Sequence, residues 1–453
     1  MPGIGKKVPT PGAIGALPTF GILPDKPKMI KYTRIRRGQN RNGRGEKMSI
    51  AARRKSGKGM HERVDAGRRG VLRVFGCAAA AVAAAPVIRG ARAWGAVPPS
   101  AGGGETRVLG STGIRVATVG MGAMITRDSD VIRYAVDHGV NYVDTADCYM
   151  GGENERIVGR ALEGVRDKVV LASKVHIAPV DQMIRSVETS LRSLKTDVID
   201  IMQLHGISSE EEVTYGYARE ALGKLLEQGK IRVPGVTTHS GQGEVLQAVK
   251  KHGFYKTVLV AYNFRSDTGL KATIRSAFGG RGLSATIRDV SASGIGIIAM
   301  KTQAGGYSVP EVRLSPHQAA LAWVLENPGV TTTIPSMVSF SQVDENVRAS
   351  GKRLGWGGRK ALNLYARAIE DRHCGLCGEC SGSCPRGVDV PSVLRSLTYL
   401  EGYRREDLAR ETYRALGPDR AALPCLTCGS CAISCRLGLK VKELAWRAHG
   451  RLA

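Results

Sequence analysis

The sequence predicts an α/β chain: a (β/α)8 TIM barrel followed by a mostly helical, cysteine-rich domain. Three observations carry this. Short apolar runs alternate with amphipathic segments between about Gly104 and Gly351. Polar residues fall at the C-terminal ends of consecutive runs. Eight of the ten cysteines crowd between Cys374 and Cys435.

The runs are Val116–Gly120, Asn141–Asp144, Val169–Ala172, Val198–Met202, Ile231–Val236, Val258–Ala261, Gly296–Ala299 and Thr331–Ile334. Each is short and continuously apolar, as a strand covered on both faces should be. Between them lie helical patterns, such as Met183, Val187, Ser190, Leu191 and Leu194 at the 3.6-residue period, with others over 220–228 and 317–325. Eight strand–helix units in about 250 residues match a (β/α)8 barrel. The stretch Thr106–Arg115 reads as a hairpin closing the barrel floor. An open doubly wound sheet would need a glycine-rich phosphate loop after its first strand, and Gly120-Met121-Gly122-Ala123-Met124 lacks the third glycine.

At 453 residues the chain is too long for one ordinary domain. The boundaries read as a disordered basic extension over 1–66, a twin-arginine-type signal over 67–93 and a linker over 94–104. The barrel covers 105–351, a connecting helix 352–372, and the cysteine-rich domain 373–453. The net charge is +26, but residues 1–93 alone hold 21 basic and 4 acidic side chains. The excess therefore belongs to the leader, which lacks interleaved aromatics for base stacking, and nucleic-acid binding is excluded as a function class.

Within the leader, Arg68-Arg69 precedes an alanine-dominated run from Val74 to Ile88, and Ala91-Arg92-Ala93 supplies a small-x-small cleavage site. This predicts export of the folded protein to the periplasm or cell envelope, with membrane contact only through the transient signal; without a working leader the chain is cytoplasmic. The apolar run is shorter than the roughly 20 residues of a bilayer span. Such signals begin near the start, so residues 1–59 are surplus on this reading, with Met48 and Met60 as alternative starts.

Barrel enzymes hold their chemistry at the C-terminal strand ends. Asp144 ends the second strand, Tyr149 lies five residues on, Lys174 follows the third and His205 the fourth. A carbonyl accepting hydride needs a proton on its oxygen. A phenol with pKa near 10 is a poor acid at neutral pH unless a cation favours its phenolate. Lys174 is expected to do so, Asp144 to hold Lys174 protonated, and His205 to donate a hydrogen bond to the substrate oxygen.

The run Asn141–Tyr149 followed by Glu153–Leu162 resembles the aldo-keto reductase signature, and Ala172-Ser173-Lys174 and Leu204-His205 resemble that family's next two blocks. The resemblance covers the whole barrel. It implies Asp144, Tyr149, Lys174 and His205 as a catalytic tetrad, a carbonyl or alcohol substrate, and NAD(P) as hydride carrier. It also implies carboxamide contacts at Thr237 and Thr238, where the family carries a Ser-Asn pair, a phosphate loop at Ile334–Met337 including Ser336, and an adenosine-binding pair, Glu345 and Asn346. Leu259, Met300 and Gln342 stand where the family carries a glutamine, a nicotinamide-stacking aromatic and a 2′-phosphate-binding arginine. Lys301 reads equally as a phosphate contact or a surface lysine.

The cysteines form two blocks, Cys374-x2-Cys377-x2-Cys380-x3-Cys384-Pro385 and Cys425-x2-Cys428-x2-Cys431-x3-Cys435. This is the bacterial ferredoxin run for [4Fe-4S] ligation, whereas structural zinc takes two separated C-x2-C pairs. Two [4Fe-4S] clusters are expected, with each fourth cysteine free to serve either one. Between the blocks, Val390, Val393, Leu394, Leu397 and Leu400 at helical spacing resemble a helical ferredoxin module. Barrel plus cluster domain resembles an iron-sulfur-fused aldo-keto reductase branch. It implies an exported oxidoreductase with electron relay to a redox partner protein or quinone, a flavin or quinone mediator coupling two-electron to one-electron steps. The competing reading is an electron carrier in which the barrel is a scaffold.

Overall fold

A computed structural model describes residues 104–266, 282–308 and 315–453, all within one compact unit spanning Val87–Ala453. The basic extension, the export signal and most of the linker lie outside the described residues.

Two strands form the floor hairpin, β1 (Thr106–Val108) and β2 (Arg115–Ala117), paired antiparallel. Eight parallel strands follow: β3 (Met121–Gly122), β4 (Tyr142–Asp144), β5 (Val170–Val175), β6 (Ile199–Leu204), β7 (Ile231–Thr238), β8 (Thr257–Ala261), β9 (Gly296–Met300) and β10 (Thr332–Thr333). They pair in sequence order, and parallel bridges Val119↔Thr333 and Gly122↔Ser336 close the ring. The first strand differs from expectation. Val116 and Ala117 pair with the hairpin, and the barrel strand begins only at Val119 and Met121. The apolar run is shared by two consecutive sheets, which periodicity alone does not divide. Gly122 is needed at the seam, because a Cβ there would lie 2.8 Å from the Ile334 carbonyl oxygen.

The helices are α1 (Ser129–Asp137), α2 (Glu153–Ala161), α3 (Val180–Ser193), α4 (Glu210–Thr214), α5 (Gly216–Glu227), α6 (Gln242–His252), α7 (Leu283–Ala292), α8 (Pro316–Leu325), α9 (Phe340–Val347) and α10 (Trp356–Ala368). Their starts are chemically marked. Asp128, Ser209, Ser315 and Ser339 each cap the helix that follows through a side-chain oxygen, satisfying N–H groups the helix cannot. Apolar stripes such as Met183, Val187 and Leu191 of α3 pack on the buried strands.

The C-terminal part consists of α11 (Val390–Glu401), α12 (Glu406–Arg414), α13 (Gly417–Arg420) and α14 (Val441–Leu452) with the two cysteine loops. It is not a separate lobe with a core of its own. One apolar cluster runs from Leu109 and Ile114 at the floor, through Tyr142, Ile201 and Leu259 inside the barrel, to Met300 and Ile334 at its mouth. It continues into Leu376, Leu394, Leu397 and Leu444. Polar contacts fix the same docking: Arg405 Nη1 donates to Ile125 O at 2.8 Å, Arg265 Nη1 to Ile369 O at 3.0 Å, and Gln242 Nε2 to Leu376 O. Gly378, at φ +75°, lies so close to the loop after β7 that a Cβ would sit 2.8 Å from Gly241 N. Among the described residues no helix is long and apolar enough to cross a membrane.

Candidate active site

Strand alternation builds the site. Side chains two apart on a strand share a face, so β6 and the residue after it send Gln203 and His205 to one side, and β5 likewise sends Lys174 and His176. The four predicted residues come together. Lys174 and Asp144 are both buried, and the Lys174 ammonium donates to Asp144 Oδ1 and, at 2.6 Å, to Thr145 O. Gln203 Nε2 donates to Asp144 Oδ2 at 3.0 Å. Lys174 Nζ stands 4.7 Å from the centre of the Tyr149 ring, which meets His205 edge-on at 5.9 Å. Tyr149 reaches this point from a tight 3-10 turn in which Met150 and Gly151 both take positive φ.

The polar residues of the signature helix act as braces. Thr145 Oγ1 donates to Asn154 Oδ1, and Asn154 Nδ2 donates to Ala123 O at 2.8 Å, tying the ends of β3 and β4 together. Ser173 Oγ donates to Glu155 Oε1 at 2.6 Å, and burial pushes the Glu155 carboxyl up to about 6.

The electrostatics differ in one respect from expectation. Burial pushes the Tyr149 phenol well above the usual tyrosine range, and the neighbouring Asp144, Cys148, Tyr399 and Tyr403 add to the rise. The Lys174 ammonium, beside the ring, is turned to Asp144 and the Thr145 carbonyl. The phenol therefore keeps its proton at neutral pH. Burial, with Lys174, His176, Arg395 and Lys301 nearby, holds the His205 imidazole well below its usual range, so it is neutral. His239 is held neutral in the same way. Burial also raises the Asp144 carboxyl, against the opposing pull of Lys174.

Several participants were missed by sequence reasoning. Gln203 and His176 had a usable signal, their two-residue spacing from His205 and Lys174. Tyr399, Tyr403 and Arg395 had none, since only the docking of α11 and the turn after it brings them to the barrel mouth. Lys301 is settled as a Tyr399 partner: its Nζ donates to the phenol at 3.0 Å and lies 4.9 Å from the ring centre.

The residues expected to hold NAD(P) divide into two groups. Thr237 and Thr238 end β7 fully buried. Thr238 Oγ1 donates to Ser240 O at 2.8 Å, while the Thr237 hydroxyl and His239 Nδ1, two residues apart, have no hydrogen-bond partner. Such orphaned buried atoms suit a polar ligand such as a carboxamide. Ser336 lies at the closing seam. Glu345 and Asn346 are engaged internally, Glu345 accepting from Ser315 Oγ and Asn346 Oδ1 from Gln303 Nε2 at 2.7 Å. Leu259 and Met300 are buried in the shared apolar cluster.

The eight cysteines of the two blocks form no disulfide. Their electrostatic neighbours sort them into two groups. Cys374, Cys377 and Cys380 each feel Cys435, whereas Cys425 feels Cys384, Cys428 and Cys431. The fourth cysteine of each block thus stands with the other block. Among the described residues, the group of potential ligands gathered within 4.8 Å is a different one, Asp147, Cys148, His176 and His205.

The Asp–Tyr–Lys–His group stands at the C-terminal mouth of a parallel eight-stranded barrel, where (β/α)8 enzymes hold their chemistry. Residues 126–313 match the aldo/keto reductase family. The chain's curated relatives include an uncharacterized oxidoreductase of Bacillus subtilis, YqkF, 34% identical over 149 residues, covering 29% of this chain and 48% of that protein. Another is the Escherichia coli methylglyoxal reductase YeaE, 41% identical over 111 residues, covering 23% and 37%. The chain thus spans half or less of the length of these relatives. Among solved structures, the aldo-keto reductase AKR11C1 of Bacillus halodurans is 24% identical with a TM-score of 0.47, covering 57% of this chain and 95% of that one.

Proposed function

We propose that the protein is an oxidoreductase interconverting a carbonyl and an alcohol at the barrel mouth. The carrying observation is the convergence of a protonated Tyr149, a Lys174–Asp144 pair and a neutral His205. In the reducing direction, Tyr149 gives its proton to the carbonyl oxygen while hydride adds to the carbonyl carbon. His205 donates a hydrogen bond to the same oxygen as charge develops there. Lys174, held by Asp144, steadies the phenolate left behind, and Gln203 holds Asp144. A nicotinamide cofactor would supply the hydride; the Thr237 hydroxyl, Thr238 and His239 would hold its carboxamide, and Ser336, Glu345 and Asn346 would hold its phosphate and adenosine. Glu345 and Asn346 must exchange their internal hydrogen bonds to take part.

Cys374, Cys377, Cys380 and Cys435 would hold one [4Fe-4S] cluster and Cys425, Cys428, Cys431 and Cys384 a second, which would supply one-electron transfer. The module's docking on the mouth supports a relay toward a redox partner protein or quinone, with a flavin or quinone mediator joining two-electron to one-electron steps. Twin-arginine export of the loaded, folded protein accords with the leader motif.

A second reading, an electron-transfer protein with the barrel as scaffold, is favoured by the burial of Met300 against the module. Anaerobic assays separate the two: wild type is expected to oxidise NAD(P)H with small carbonyls and Tyr149→Phe is not. Equal rates in both sink the enzyme reading.

A further inference from the structure

We propose a second metal site, distinct from the cysteine blocks: a tetrahedral zinc-type centre formed by Asp147, Cys148, His176 and His205 at the barrel mouth. The four ligating atoms lie within 4.8 Å of one another. One edge is already of ligand length, Cys148 Sγ to His205 Nδ1 at 3.6 Å, and a second, His176 Nδ1 to Asp147 Oδ1 at 3.9 Å, is a few tenths of an ångström longer. Metal–ligand bonds of about 2.0–2.3 Å in a tetrahedron give edges of about 3.3–3.8 Å. The His176 and His205 rings stand 4.6 Å apart, which leaves the remaining edges to close by small side-chain rotations.

The site is built by topology. Asp147 and Cys148 come from the loop after β4, His176 follows the last residue of β5, and His205 follows the last residue of β6. The ends of three adjacent parallel strands thus deliver these residues to one point. Asp147 Oδ1 is shielded from solvent without a hydrogen-bond partner, a condition that a cation relieves. Cys148 and His176 are exposed, so a hydrated ion can enter.

The donor set selects the ion. One thiolate, two imidazoles and one carboxylate suit zinc better than the oxygen-seeking magnesium or calcium. The charge also closes. A thiolate and a carboxylate neutralise a divalent ion, the Cys148 proton leaving to solvent, and Lys174 is matched by Asp144. A metal on His205 Nδ1 leaves the ring proton on Nε2. That consequence rests on the proposed carbonyl chemistry, where His205 must be a donor; the site itself does not.

The test is metal content and coordination in the full-length, cluster-loaded protein equilibrated with zinc. The expected result is one zinc per chain in addition to iron, with a zinc-edge X-ray absorption shell of one sulfur and three nitrogen or oxygen scatterers. Cys148→Ala and His176→Ala should each weaken zinc binding by more than roughly 100-fold, beyond the effect of losing an outer-shell partner, with iron content unchanged. Three results overturn the proposal: no zinc above background with both clusters intact, an all-sulfur shell that marks zinc in the cysteine blocks, or zinc affinity unchanged in both variants. None depends on a substrate, so failure here leaves the carbonyl reading standing, and loss of turnover in Tyr149→Phe leaves the metal site standing.

Discussion

Removing the ammonium beneath the phenol tests the centre of the site. The Lys174 and Asp144 side chains are only 1% and 3% exposed. In Lys174→Met the Asp144 carboxylate keeps one side-chain donor, Gln203, and the Thr145 carbonyl loses its partner. Breaking a buried pair from one side costs about 3–5 kcal/mol, because a charge is left without compensation. Removing both charges in Asp144→Asn/Lys174→Met avoids that, and the amide still accepts from Gln203. The double variant should therefore lie within about 1–2 kcal/mol of wild type, and since each single loss costs about 3–5 kcal/mol the coupling in the cycle should be at least about 4 kcal/mol. The deficit should also vary with pH. The Asp144 pKa is raised in the folded protein, so its contribution to stability is present at low pH and falls as pH rises through the folded value. Loss of Lys174 moves that value further up, so Lys174→Met should be tolerated better at pH 5 than at pH 8. Urea unfolding under argon, followed by far-UV circular dichroism, measures both. Strictly additive effects, or a single-variant loss that is flat with pH, would refute the buried pair.

Tyr149→Phe should retain the wild-type unfolding midpoint and lower kcat by about 10²–10⁴, the usual worth of a positioned proton donor; a midpoint shift accompanying the rate loss would point to a structural role instead. Cys374→Ser and Cys435→Ser should abolish the same cluster signal in low-temperature paramagnetic resonance, and Cys384→Ser and Cys425→Ser the other; a signal lost together with Cys374 and Cys384 would place each fourth cysteine with its own block. The Glu155 carboxyl is raised from 4.5 to about 6 by burial. Its contribution is therefore complete below about 4.5 and lost as pH climbs through 6, worth on the order of 2 kcal/mol. Glu155→Gln should flatten that limb of the stability profile, and an unchanged limb would assign it to another group.

What the sequence disclosed followed from how local each signal is. Strand runs buried on both faces, caps such as Ser315 and Ser339, and strand-end polar residues are set by neighbours in the chain, so the barrel and the gathering of Asp144, Tyr149, Lys174 and His205 at its mouth could be read together. The first barrel strand was misplaced because one apolar run, from Val116 onward, serves both hairpin and barrel. The phenol's upward shift was not foreseen because it comes first from burial, with Asp144, Cys148, Tyr399 and Tyr403 adding to it, and the residues that bury it are distant in the chain. The α11 face carrying Arg395 and Tyr399 had an i, i+4 pattern, but nothing local states that a helix some 200 residues beyond β5 lies over the barrel mouth.

That docking gives the cysteine-rich part a role inside the site. Met300 and Ile334 at the mouth belong to the same apolar cluster as Leu376, Leu394 and Leu397. Tyr399 engages Lys301, and Arg436 donates to the Ser266 carbonyl. A chain ending after Gly351 would expose that apolar rim and leave Lys301 without its phenol. Exposed patches of this kind drive association, so the truncated barrel should aggregate or form oligomers on size-exclusion chromatography, whereas the full chain should not. A monodisperse, equally stable barrel would mean that the module merely rests on the mouth. The shared cluster argues the opposite: any electron passing between the cysteine groups and the Tyr149 site crosses a packed interface within one domain-sized core, with α11 as the common wall.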